Sequence, residues 1–166
     1  MNRVIQHKYI FHPVTIILTS IAAAGIFALI TTLLFHGELR WFLLYYFTPI
    51  GIPFVAFLFD RAEQRTLIST AGWTVDLIVL IPALMRAFVL IPFISGHALF
   101  LAYCLLTSRS KVAQITAFLV LMQVVYLKIF VMHDTTLFGG VIAGCLAAVV
   151  YRRVKPFNRS IQVESE

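Results

Sequence analysis

The run Val14–Phe35 holds no charged residue, and that alone restricts what the chain can become. About 20 apolar residues in helical form are needed to cross the hydrocarbon core of a bilayer. Lipid offers no partners to backbone N–H and C=O groups, so a run of this kind folds as a helix that satisfies them internally. Five further apolar stretches follow, at 41–59, 72–93, 94–108, 112–132 and 135–151. The second carries Pro49, Gly51 and Pro53, which predicts a kink or distorted turn. The last is rich in glycine and alanine (Gly139, Gly140, Ala143, Gly144, Ala147, Ala148), the composition of a helix packed closely on its neighbours. A signal peptide cut near Ala22-Ala23-Ala24 is the alternative for the first run. Its apolar character continues to Phe35, which favours a retained helix.

Composition agrees. The 166 residues suggest one domain, 61% are hydrophobic, and the mean hydropathy is +0.95, well beyond soluble globular chains. The formal charge of +6 does not indicate nucleic-acid binding, because the cations sit in short segments between apolar runs, where they act as topology signals. Cys104 and Cys145 lie inside apolar stretches and read as small buried hydrophobes.

The sequence therefore predicts an all-α, six-transmembrane-helix bundle. Six spans put both ends on one side. That side would hold Arg3, Lys8, Arg61, Arg65, Arg109, Lys111, Arg152, Arg153, Lys155 and Arg159, ten of the thirteen basic residues. The excess of positive charge makes it the cytoplasmic side. Trp41 and Trp73 each open a span, as interfacial aromatics do, and residues 155–166 read as a polar cytoplasmic tail.

With that orientation, Arg86 falls in the outer half of the third span. Ser95-Gly96-His97 opens the fourth at the outer face, Lys128 lies about one turn below the surface, and His133-Asp134 forms the outer turn before the sixth. Ionisable groups in a membrane segment are costly and mark function by default. Asp76 belongs near the inner end, with no partner named by the sequence. His7, His12 and His36 are assigned to loops or interfaces without a role.

Three chemistries suit the outer group. Ser95 as an acyl nucleophile lacks the strained G-x-S-x-G elbow. A metal site on His97, His133 and Asp134 lacks the usual ligand spacing, and none is assigned. Phosphoryl transfer fits better. Arg86 and Lys128 neutralise phosphate, the Gly96 amide opens a helix N-terminus, and two imidazoles supply a nucleophile and an acid without a metal or other cofactor.

At these residues the chain resembles the type-2 phosphatidic acid phosphatase/haloperoxidase superfamily, in its integral-membrane lipid phosphatase branch. That family carries K-x6-R-P, then P-S-G-H, then S-R-x5-H-x3-D. Ile94-Ser95-Gly96-His97 is similar to the second signature with Ile for Pro, and Lys128 through His133 is similar to the third with Lys for Arg and one residue fewer. The resemblance covers roughly Gly72 to Tyr151. It implies that His133 is the nucleophile, that His97 is the general acid, and that Ser95, Gly96, Lys128 and Arg86 hold the phosphate oxygens. The substrate is then a phosphorylated lipid in the bilayer. The first signature is reduced to Arg86 with Pro92, and Leu137 stands where the family has its imidazole-orienting Asp. Asp134 is the nearby carboxylate, either orienting His133 or capping the sixth helix. The competing expectation is a degenerate relative that binds lipid phosphates or serves as a scaffold or transport component. The oligomeric state is left open.

Overall fold

A computed structural model describes residues 12–64, 68, 70–85 and 93–154. Among these residues every regular element is a helix. The first, α1 (Pro13–Leu34), begins with proline at its first position, where the missing N–H costs nothing. His12, given no role from the sequence, caps it: its Nδ1 accepts a hydrogen bond from the Val14 amide at 3.3 Å. Gly37, at φ 69°, turns the chain into α2 (Gly37–Tyr46), in the left-handed region open to glycine.

After a turn at Phe47 the chain continues as α3 (Thr48–Glu63). The expected distortion of this stretch falls at Phe47, and Pro49 explains it. Proline has no N–H to donate four residues back, which leaves the Tyr45 carbonyl without its helical partner. The Gln123 side chain fills the gap, its Nε2 donating to that carbonyl at 3.1 Å. A polar residue in an apolar helix thus re-satisfies backbone freed by a proline in a neighbouring one.

The remaining elements are α4 (Thr70–Met85), α5 (Gly96–Thr107), α6 (Lys111–Tyr126), a π-helical turn (Leu127–Val131) and α7 (Thr136–Val154). The central helix is α5, packed against α3, α4, α6 and most extensively α7. Ala98 through Cys104 are buried without interruption. At twelve residues it spans roughly 18 Å at 1.5 Å per residue, short of the roughly 30 Å hydrocarbon core. Enclosure by its neighbours makes that length tolerable, since its ends face protein rather than lipid.

Close approach of α5 and α7 rests on glycine. A Cβ placed on Gly144 would stand 2.5 Å from the Leu99 carbonyl oxygen and 2.9 Å from the Ala102 Cβ. The outer helices invert the pattern of a soluble protein. On α1 the buried positions include Ser20, Ala24 and Thr31, small residues facing the bundle, while Leu18, Ile26, Leu29, Leu33 and Leu34 are exposed. Small residues let helices approach, and lipid-like surface takes the large ones.

Four helical stretches among the described residues are long and apolar enough to cross a membrane: Pro13–Leu34, Gly37–Glu63, Lys111–Val131 and Thr136–Val154. Thr70–Ile81 and Gly96–Thr107 are shorter apolar helices. The architecture is all-helical and consistent with a membrane protein.

Candidate functional site

Polar groups collect at the two opposite ends of the bundle. One end is formed by the start of α5, the π-helical turn after α6 and the start of α7. Ser95 caps α5 through its hydroxyl, which accepts from the Ala98 amide at 3.5 Å, and its own amide donates to the Thr136 carbonyl at 3.0 Å. That second bond joins the start of α5 to the start of α7. A Cβ on Gly96 would lie 2.9 Å from the Ala83 carbonyl oxygen, so this glycine also lets α4 close on α5.

Lys128 lies in the π-helical turn with only 1% of its surface exposed. Its ammonium forms an ion pair with the Asp134 carboxylate and donates to the Thr136 hydroxyl at 3.1 Å. The other Asp134 oxygen accepts from the Thr136 amide at 2.8 Å, and the Asp134 amide donates to the Lys128 carbonyl at 2.7 Å. Asp134 therefore closes the turn before α7 and neutralises Lys128 together. Partial burial, which alone would raise its pKa, is outweighed by the Lys128 hydrogen bond and the Thr136 amide and hydroxyl. The carboxyl is lowered to about 2.

His133 lies in this turn, exposed, at φ 50°. A non-glycine residue with positive φ is uncommon and costs energy unless its surroundings impose it. Here the bonds from Asp134 to Lys128 and Thr136 fix the turn on either side. A π-helical turn is likewise rare and tends to occur at functional positions. Two unusual backbone features thus fall within seven residues of each other around Lys128 and His133.

His97 is held differently. A Cβ on Gly140 would meet the Ser95 carbonyl oxygen and the Ala98 side chain, and one on Gly144 meets Ala102, which defines the face of α5 turned to α7. Helical geometry puts His97 about 100° of rotation from Ala98, on another face. Its ring sits edge-on to Tyr46 and Phe47, with centroids 4.5 and 4.8 Å away, at the junction of α2 and α3. The structure thus gathers Ser95, Lys128, His133, Asp134 and Thr136 around the start of α7, with His97 directed toward α2 and α3. Arg86 and Pro92 lie outside the described residues.

The opposite end holds a larger network that the sequence did not reveal beyond Asp76. Arg61 and Asp76 form a two-point ion pair, Nε to Oδ2 at 3.0 Å and an Nη to Oδ1 at 3.2 Å. The Tyr103 hydroxyl donates to the same Asp76 Oδ1 at 2.6 Å, and Arg61 donates to the Thr107 hydroxyl at 2.8 Å. Asp60 accepts from the Ser110 amide at 2.7 Å, the Arg109 amide at 3.1 Å and the Gln64 side chain at 2.7 Å. It thereby anchors the α5–α6 turn to α3. The Arg61 guanidinium is sandwiched between the Phe57 and Tyr151 rings, 4.4 and 4.6 Å from their centroids. All three charged residues are at most 2% exposed. The adjacent pair Asp60-Arg61 at the end of an apolar run was the available signal, because charges in such a place are retained as partners.

Among the described residues no group of three or more His, Cys, Asp or Glu side chains is arranged to hold a metal ion. No protein-family model, curated protein or solved structure matches the chain.

Proposed function

We propose that the chain is a six-span membrane protein with cytoplasmic termini that hydrolyses a lipid phosphate or pyrophosphate near the outer face of the membrane. His133 attacks phosphorus, the bond from phosphorus to the leaving oxygen breaks, and His97 delivers the proton that oxygen takes. Water, passing a proton back to His97, then cleaves the phospho-histidine, releasing phosphate and restoring both imidazoles. Lys128, Arg86, the Ser95 hydroxyl and the Gly96 amide hold the phosphoryl oxygens as charge develops on them. The observation that carries this reading is the clustering of Ser95, Lys128, His133 and Asp134 at the start of α7, with the exposed His133 in the turn that follows the buried Lys128. Catalysis on this plan requires Lys128 to exchange Asp134 for phosphate when substrate arrives.

A second reading is a lipid-phosphate-binding protein without turnover. It is favoured by the occupation of Lys128 by Asp134 and Thr136, and by the direction of His97 toward Tyr46 and Phe47. The two are separated by phosphate release from purified protein in detergent with EDTA, using phosphatidate, phosphatidylglycerol phosphate and a polyprenyl pyrophosphate. Release that vanishes in His133→Ala supports the enzyme. Absence of release from all three by folded protein leaves the binding reading.

A further inference from the structure

The start of α5 has two sides. One carries the cluster with α7, and the other faces a cavity of about 360 Å³, within the roughly 300–1,000 Å³ range of small-molecule sites. It is lined by α1 through Ala23 and Phe27 and by α4 through Leu80 and Ala83. Phe54 of α3 and Phe100 of α5 bring two rings to the lining, 5.9 Å apart. Among the described lining residues His97 is the single one with a polar side chain.

Two features determine what such a space takes. It is apolar, and water does not settle in an apolar cavity for want of hydrogen-bond partners. Moreover, α1 packs mainly on α3 whereas α4 packs on α5 and α7, so the cavity is bordered by two helices anchored on different neighbours. Phe27 lines the cavity and is itself 39% exposed, and large apolar residues are exposed near it, Ile26 and Ile30 on α1 and Leu77 and Ile81 on α4. A cavity bordered by exposed apolar surface of this kind lies next to hydrocarbon chains in a bilayer.

We propose that this cavity binds one acyl chain of a membrane glycerophospholipid, which enters between α1 and α4 and brings an oxygen of its head to the His97 imidazole. The chain replaces void with dispersion contacts along the aromatic lining, and the imidazole sets how far the lipid slides in. The site shares His97 with the reaction proposed above but requires occupancy and not turnover.

The test is photolabelling of the full chain in phosphatidylcholine vesicles that contain a phosphatidylcholine with a diazirine partway along one acyl chain. Adducts mapped by mass spectrometry are expected at Phe54, Leu80 and Phe100 in excess of those at Leu119, which is 61% exposed on α6 and reports ordinary lipid contact. Two variants fill the cavity from different walls. In Gly51→Leu the added Cβ meets nothing nearer than Ala24 at 3.9 Å, and Ala23→Leu acts from α1. Either variant, with unfolding temperature unchanged, is expected to abolish cavity adducts and leave those at Leu119. His97→Phe keeps the ring and removes the hydrogen bond, so cavity labelling should fall about two- to tenfold, the equivalent of one net hydrogen bond. Cavity labelling no stronger than at Leu119, or labelling that persists in both filled variants, would overturn the proposal. Unchanged labelling in His97→Phe would remove the head-group contact from it.

Discussion

Removing the Arg61 side chain is the most informative perturbation of this fold. In Arg61→Met a flexible apolar chain of comparable length remains between Phe57 and Tyr151, so the loss is one of charge and hydrogen bonds rather than volume. Asp60 keeps its bonds from Ser110, Arg109 and Gln64. Asp76 loses both guanidinium bonds and retains the Tyr103 hydroxyl, while 2% exposed. Breaking a buried pair by deleting one partner costs about 3–5 kcal/mol, because the other charge is left uncompensated. Asp76→Asn should cost less, about 1.5–3 kcal/mol, since Arg61 retains Asp60 and Thr107. The double variant Arg61→Met/Asp76→Asn removes both charges and should recover much of the Arg61→Met loss, since no uncompensated charge is left at position 76. The assay is reversible unfolding in mixed micelles, with the four proteins forming a double-mutant cycle. If Arg61→Met costs under about 1 kcal/mol, or if the double variant is as unstable as the sum of the singles, the pair is not the uncompensated-charge hazard described here.

Further outcomes follow from the other end and from the helix packing. Gly144→Ala should lower stability by about 1–3 kcal/mol through overpacking against Leu99 and Ala102, whereas an equivalent methyl on the open α1 position Gly25 should not; parallel unfolding curves compare them. His133→Gly relieves a left-handed residue, a conformation that costs other residues about 1–2 kcal/mol, so the fold should be as stable as the parent or more so while phosphate release is lost. Retained release in that folded variant removes the nucleophile assignment. The Asp134 carboxyl, lowered from 3.8 to about 2, contributes stability that is complete above the unfolded value and is lost as pH falls through the folded one. The stability gap between the parent and Asp134→Asn should therefore hold near neutrality and shrink between about pH 4 and pH 2, a trend that unfolding curves along a pH series would check.

Much of the fold is visible in the chain because membrane insertion is a local property. Apolar length makes Val14–Phe35 a helix wherever it sits, and Ser95 and Asp134 start helices through hydrogen bonds to amides two or three residues away. Proline at position 49 announces a distortion for the same local reason, although its placement at Phe47 and its repair by Gln123 depend on a neighbouring helix. The candidate site was legible as a set of residues at one end, but not as a set of pairs. Lys128 reads as free to hold phosphate until the π-helical turn buries it against Asp134. His97 reads as a partner of His133 until the rotation of α5 directs it to Tyr46 and Phe47. Asp76 has no visible partner until α3 brings Arg61 beside it. In a soluble helix an apolar stripe fixes rotation and hence which side chains meet. Helices that are apolar all round carry no such stripe. The sequence by itself determined that these segments are helices and where their polar ends lie. The tertiary structure alone decided their rotation and neighbours, because close packing at Gly144 and pairing of buried charges are satisfied only when specific helices come together.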